Sequence, residues 1–366
     1  MTFSFKRDNL WEALHIDTPL LLCIGACFLI SMLVLYSAKL DYIILQKQAL
    51  RLILACGFML FVAQIPPRIY SAWAPWLYFS TLIMLILVLF IGDISKGAQR
   101  WLDLKIIRFQ PAELMKIALP MMVARSLEQH VLPPQNKLLI LPALYILVPV
   151  LLIAIQPDLG TAILVASAGI FVLFFAGISW RLIMTLSATC LVSAPFMWFG
   201  LREYQRQRIL TLLNPESDPL GAGYHIIQSK IALGSGGFFG KGWLNGTQSH
   251  LEFLPERTTD FIFAVFGEEF GFVGFAILLC IYIAIILRGF YIGVQARDTF
   301  SRLLSGSLIM TFFVYIFVNI GMVNGILPVV GIPLPLISYG GTSLVTIMVS
   351  FGMLMAVQTH RTLLRR

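Results

Sequence analysis

Charge is what this sequence has least of. Of its 366 residues only 12% are Asp, Glu, Lys or Arg, against 58% hydrophobic, whereas a soluble domain carries about 25% charged residues. A water-soluble globular body is excluded on that ground. Cysteine is also scarce: Cys23, Cys27, Cys56, Cys190 and Cys280 all fall inside apolar runs, so they read as small buried side chains with no disulfide framework. The five histidines stand at no ligand spacing with one another or with cysteine, so no closed metal site is expected, and His225 reads as interfacial or structural. The glycine-rich run before Lys241 fails as a nucleotide loop. Ser235 stands where the first Gly of G-x-x-x-x-G-K-[ST] belongs, and Gly242 where the hydroxyl belongs. No nucleotide and no nucleic-acid partner are expected. There is no fixed-period repeat and no low-complexity segment.

What the chain does have is long apolar runs. A bilayer core about 30 Å thick takes roughly 20 apolar residues per helical crossing, and backbone groups in lipid must be satisfied internally. About ten stretches of spanning length occur, near 18–38, 48–65, 75–92, 111–127, 138–155, 159–177, 180–200, 260–287, 302–323 and 340–358. The expectation is an all-α polytopic membrane protein, a single transmembrane domain over 1–366, with one long loop, 201–259, between helices 7 and 8. Lys6 and Arg7 precede the first apolar run with no small-residue cleavage site after it, which predicts an uncleaved anchor.

Basic residues orient the spans. Twelve Lys and Arg fall on the side of the termini and thirteen on the other, but ten of the thirteen lie in two loops. These are Lys96, Arg100, Lys105 and Arg108 in 93–110, and Arg202, Arg206, Arg208, Lys230, Lys241 and Arg257 in 201–259. Only Lys39, Lys47 and Arg51 remain on that side. Set those two loops apart and both termini are expected to be cytoplasmic. Basic loops translocated against the rule call for an anionic ligand outside the membrane.

Three stretches suggest what that ligand meets. In "ISKGAQRWLDLKIIRFQPAELMKIALP" (94–120), Gly97, Arg100 and Trp101 offer a pliant backbone, a cation and an amphipathic ring. Pro111 can open a helix, and Glu113 and Lys116 follow at i, i+3, close enough to pair. They form a site or a structural ion pair. The glycine-rich centre of 203–249, with Lys241, offers backbone donors and cations suited to a diphosphate or carboxylates, or is a solvated loop. In "LEFLPERTTDFIFAVFGEEFGFVGF" (251–275), Asp260 stands at the threshold of an apolar helix, as a functional carboxylate or as its N-cap. If Asp260 begins the helix, Glu268 lies roughly 80° and Glu269 roughly 180° from its face. The two glutamates are assigned a structural or cavity-lining role.

Taken in order, "GAQRWL", "RFQPAELMKIALP", "QPDLGTAIL" (156–164), "YQRQRI" (204–209), "NPESDPLGAGYHIIQSKIALGSGGFFGKGW" (214–243), "FLPERTTDFIFAVFGEEFG" (253–271) and "GILPVVGIPLPLISYGGTS" (325–343) closely resemble the SEDS family of bacterial cell-wall polymerases, in its elongation branch. The resemblance covers essentially the whole chain. It implies a multi-pass protein of the bacterial cytoplasmic (inner) membrane that joins lipid II into peptidoglycan strands at the outer face, during cell elongation and rod-shape maintenance, with polyprenyl diphosphate leaving. It carries the family's essential aspartate onto Asp260 and its paired Glu and Lys onto Glu113 and Lys116. Substrate-binding roles are expected of Arg100, Trp101, Arg108, Gln110, Asp158, Arg206, Arg208, Lys230, Lys241 and Ser338, with Lys105 a further cation. A divalent cation, Mg or Mn, is implied as possible. The implied partners are a class B penicillin-binding protein, which is a transpeptidase, and other elongation-complex membrane proteins. Two alternatives stay open: a lipid II flippase, and a non-catalytic scaffold.

Overall fold

The computed structural model describes residues 15–95, 98–103, 108–200, 203–217, 221–251, 253–254 and 256–360. Lys6, Arg7, Lys96, Gly97, Lys105, Arg202, Arg361, Arg365 and Arg366 lie outside the described residues.

The body is helical. In chain order the spans are α1 (Thr18–Lys39), α2 (Tyr42–Ala63), α3 (Pro67–Ile91), α4 (Pro111–Leu127), α5 (Ile140–Ile155), α6 (Leu159–Phe175) and α7 (Trp180–Gly200). The long loop adds α8 (Glu203–Leu213), α9 (Ala222–Gly236) and the single turn α10 (Thr247–His250), before α11 (Ile262–Gln295), α12 (Thr299–Val323) and α13 (Thr342–Thr359). Seven helices are long and apolar enough to cross a membrane, and two shorter apolar ones start at Leu159 and Trp180. The buried α4 brings the set to the ten expected positions. Boundaries differ where polar residues are absorbed into helices. α2 starts at Tyr42, taking in Gln48, which is fully buried; α3 starts at Pro67, whose ring suits a first turn. Side chains such as Trp76, Phe90 and Leu191 remain exposed on outer faces, as lipid-facing positions must.

The interior holds two large apolar clusters and a small one around Leu164, Tyr315 and Ile332. Of the large ones, one joins α1, α2 and α11; the other joins α3, α4, α5 and α6; α12 and α13 contribute to both. α12 is accordingly an internal span, packed on α11, α6 and α4. Its Asp298 N-cap accepts from Ser301 N at 2.8 Å.

Loop 93–110 departs from the all-helical expectation. It folds as a three-stranded antiparallel sheet, β1 (Asp93–Ser95), β2 (Ala98–Asp103) and β3 (Arg108–Phe109), in the order β1-β2-β3. Strands of three and two residues give no periodicity that a sequence reading could catch, and the six-residue β2, AQRWLD, does not alternate apolar with polar. The sheet packs on α3 and α4 and so delivers Arg100 and Trp101 to the start of α4.

Candidate active site

At the end of the bundle that carries this sheet lies a cavity of about 750 Å³. Arg100, Trp101, Gln110, Glu113, Lys116, Asp158, Arg208 and Asp260 line it together, although the first and the last lie far apart along the chain. His225, Glu256, Thr259, Tyr315 and Tyr339 complete the polar lining.

One wall is α4. Glu113 and Lys116, 6% and 4% exposed, pair at 2.7 Å, and Lys116 Nζ also donates to the Tyr315 hydroxyl on α12. The ammonium lies 4.8 Å from the Tyr315 ring centroid. Glu113 Oε2 is buried without a protein partner among the described residues, which leaves an acceptor available on a carboxylate in low dielectric.

A second wall is organised by Asp158. Its Oδ1 accepts from Thr161 N at 3.3 Å, capping α6, while Oδ2 accepts from Gln110 Nε2 at 3.1 Å and lies 3.5 Å from Arg100 Nε. Arg100 Nη2 also donates to Pro157 O at 3.4 Å. One buried carboxylate thus ends a helix, holds Gln110 and aims a guanidinium.

The third wall is the turn before α11 with the 324–341 connection. Asp260 is partly exposed and lies two residues before the first helical residue, Ile262. The N-cap position is Phe261, and no side chain caps the helix, so the cap reading of Asp260 is not what the geometry shows. Asn319 Nδ2 donates to Asp260 O at 3.0 Å. Ser338 Oγ donates to Thr259 O at 2.6 Å and accepts from Leu334 N at 2.8 Å; Tyr339 N donates to Thr258 O at 2.9 Å. Ser338 is therefore buried behind the lining as a brace. Gly331 faces Asp260 with φ +75°, and a Cβ there would stand 3.5 Å from Asp260 Oδ2. Arg51 stacks on Tyr339 at 4.1 Å.

Several expected residues are employed elsewhere. Lys241 pairs with Glu268 at 2.7 Å, and the glycine-rich centre spends its donors on α11: Lys241 N bonds to Glu268 O and Gly242 N to Glu269 O, each at 3.0 Å. A diphosphate cradle is not what this stretch forms. Its glycines permit backbone-to-backbone packing, since a Cβ on Gly240 would overlap the Glu269 carbonyl. Arg206 donates to Trp198 O and Phe199 O at 3.0 and 2.8 Å, closing the end of α7. Lys230 is exposed and lays its stem against Gly325. Arg108 contributes backbone pairing to β3. Glu268 takes Thr247 and Gln248 N besides Lys241, and Glu269 accepts from Ser37 of α1; neither lines the cavity. Asp260 stands before the helix rather than on it, and the two glutamates lie apart from it, outside the cavity lining.

His225, Glu256, Tyr315 and Tyr339 are cavity residues that sequence reasoning missed. His225 stacks on Phe261, centroids 5.5 Å apart. A signal existed for α12, where polar residues inside an apolar span are costly and mark sites or packing.

The comparisons agree on what this arrangement belongs to. A family model named for FtsW, RodA and SpoVE, described as a cell cycle protein, matches residues 12–363. The peptidoglycan glycosyltransferase MrdB of Escherichia coli K12 is 53% identical over 100% of both chains, and the MrdB of Helicobacter pylori is 41% identical over 82% of this chain and 80% of that one. A chain from a peptidoglycan synthase complex, described as coordinating polymerization and crosslinking, superposes with a TM-score of 0.83 at 32% identity, covering 94% of this chain and 98% of that one. The rod shape determining protein RodA of Thermus thermophilus gives a TM-score of 0.72 at 29% identity, over 94% and 97%. With its helical bundle, its sheet-capped cavity and a match spanning nearly all its length, this chain belongs to the FtsW/RodA/SpoVE family.

Proposed function

We propose that this chain is a peptidoglycan glycosyltransferase that polymerises lipid II at the outer face of the inner membrane, both termini being cytoplasmic. The observation that carries the reading is the meeting, in one cavity, of a partly exposed carboxylate, Asp260, with a buried Glu113–Lys116 pair and two guanidinium groups, Arg100 and Arg208. Full-length identity to a relative named for that activity supports it.

The chemistry assigns itself to those groups. The acceptor sugar hydroxyl attacks the donor's anomeric carbon, its proton passing to Asp260 as the new glycosidic bond forms. The bond from that carbon to the diphosphate oxygen breaks, and polyprenyl diphosphate leaves with the electron pair. Cations at Arg100 and Arg208 are placed to receive the developing charge, a contribution that grows where water is excluded. The second carboxylate oxygen of Glu113 is available to accept from a substrate hydroxyl or amide.

Among the described residues no group of three or more His, Cys, Asp or Glu is placed to hold a metal by itself. Magnesium or manganese is instead suited by one carboxylate plus substrate phosphate oxygens. Asp260 is the residue that would hold it, and when bound the ion would screen the diphosphate charge.

A flippase needs polar lining through the bilayer. Between the two ends the interior is filled by Phe312, Ile316, Phe351 and Leu354, all 5% exposed or less, which favours chemistry at one face. For the partner, the likeness to a chain of a complex described as coordinating polymerization with crosslinking supports a class B penicillin-binding transpeptidase within the elongation machinery. The deciding experiment is a gel assay of the purified chain with that transpeptidase and lipid II. Glycan polymer is expected from wild type and none from Asp260→Asn. Transport into vesicles without polymer would replace the polymerase reading by the flippase one.

A further inference from the structure

One face of α12 carries polar side chains at every fourth position: Ser307, Thr311, Tyr315 and Asn319. All four are buried, as are Ser301 and Ser305 nearer the start of this span. Such groups are costly there unless satisfied, so their partners tell what they hold. Ser307 Oγ donates to Ala168 O of α6 at 2.6 Å, and Thr311 Oγ1 turns back to Ser307 O at 2.8 Å. These two serve the helix packing. The upper two reach the site.

Tyr315 accepts from Lys116 Nζ with its hydroxyl and lies beneath the ammonium with its ring. Asn319, fully buried, uses its amide nitrogen twice, toward Asp260 O at 3.0 Å and toward Ile332 O at 2.7 Å. That amide ties the turn before α11 to the connection before α13, two irregular segments that together make one wall of the cavity and also meet through Ser338 and Tyr339. Irregular backbone beside a cavity has few restraints of its own. Here both strips of chain hang on one helix.

We infer that Tyr315 and Asn319 are positioning residues for the reaction proposed above, and that α12 sets the separation between the Lys116–Glu113 pair and Asp260. Four residues of α-helix, about 6 Å of rise, lie between the two attachment points. A helix packed on three neighbours keeps that spacing to a fraction of an ångström. Loops alone do not. A misplacement of about 1 Å between reacting groups can cost roughly 10²-fold in rate, so the ladder's contribution is read in turnover rather than in substrate affinity.

The inference rests on the glycosyltransferase reading, and the experiment separates the two. Polymerisation of lipid II is measured for the full chain with its transpeptidase, comparing wild type, Tyr315→Phe, Asn319→Ala, their double variant and Asn319→Gln. Thermal melting is recorded on the same preparations. Tyr315→Phe keeps the ring and the fold while removing the acceptor; Asn319→Ala removes both clamp bonds. Each single variant is expected to lower kcat by about 10-fold to 10²-fold with KM for lipid II within about twofold. The double variant is expected to fall well short of the product of the two losses, because both act on one spacing. Asn319→Gln, which retains the amide, should recover part of the loss. Wild-type kcat in Tyr315→Phe, or losses that multiply or that appear in KM, would overturn the inference. Should Asn319→Ala not fold, Tyr315→Phe decides alone by the same criterion. Absence of polymer from wild type would overturn the polymerase reading instead.

Discussion

Two cavities of nearly equal size lie at opposite ends of this bundle, and they are built by different rules. The site cavity encloses about 750 Å³ and the other about 720 Å³, so volume does not tell them apart. The second lies where α3, α4, α12 and α13 meet, at the end where His360 follows α13, and its charges, Arg68, Arg297 and Asp298, are exposed. Its remaining carboxylate, Glu128, accepts from the Ser71 hydroxyl at 2.8 Å. In the site cavity, by contrast, Glu113, Lys116 and Asp158 are each at most 6% exposed and bind one another or groups from distant parts of the chain. Charges in water are screened and interact weakly; the same charges without water interact strongly and are costly to leave alone. Desolvated, cross-linked charge distinguishes a site from a vestibule.

The sharpest way to break that comparison is to make one substitution at each end. Asp260→Asn should lower polymerisation by about 10²-fold to 10⁴-fold, the usual range for losing a general base, whereas Asp298→Asn should leave activity within about twofold, since Asn caps a helix nearly as well as Asp. A gel assay of both proteins reads the difference, and equal losses would erase it.

Next in size is the buried pair. Glu113→Gln or Lys116→Met strands the partner in low dielectric, an expected loss of about 3 to 5 kcal/mol for a buried pair. Both melting temperature and polymer yield should fall. A charge-swapped double variant that regains the melting temperature but makes no polymer would show that the pair touches substrate. Recovery of both would make it a structural tie.

Smaller again is Lys241→Met, which removes the cation from fully buried Glu268 while leaving its bonds from Thr247 and Gln248. The expected result is a measurable drop in melting temperature with KM for lipid II unchanged. A rise in KM with stability intact would return Lys241 to the substrate-binding set.

The smallest effect belongs to the far end, where the His15 ring stacks on His360 at 4.5 Å. Burial first, and the neighbouring His360 second, hold His15 below the usual histidine range. The unfolded chain then binds the extra proton more readily, so stability is present above the ordinary histidine pKa and is lost as pH falls through the lowered one. His15→Phe, which keeps a stacking ring, should flatten the dependence of melting temperature on pH between about 5 and 7. An unchanged slope would assign it to other groups.

Much of this was legible in the sequence, unevenly. Helices were legible because lipid demands about 20 apolar residues per crossing, and that demand is written locally. Glu113 and Lys116 were legible as a pair because i, i+3 spacing places both on one face whatever surrounds them. Asp260 was legible as the acid at a helix mouth, although not that it stands free of the helix. Lys241, Arg206 and Lys230 were read as site cations because a basic residue in a loop carries no mark of its partner. Glu268, 27 positions from Lys241, claims it only in three dimensions. Ser338 was seen as a motif residue, but its part in bracing Thr259 depends on a contact across 79 positions. Tyr315 and Asn319 needed the knowledge that α12 runs inside the bundle beside the cavity.

One consequence lies in the bend of α11. At Gly271 the backbone leaves helical geometry, with φ +61°, and the donors and acceptors released there are taken up by the glycine-rich strip: Phe272 N bonds to Gly237 O and Val273 N to Phe238 O, at 3.0 and 3.1 Å. A Cβ on Gly271 would strike the Gly240 nitrogen, so the strip lies flush in the bend like a splint on a broken rod. In lipid no water can take over those bonds. The strip cannot lift without exposing the fracture, and the rod cannot straighten without expelling the strip. Whatever pulls on the glycine-rich strip therefore bends a membrane span, and the strip from 237 to 242 has no room for a single added residue.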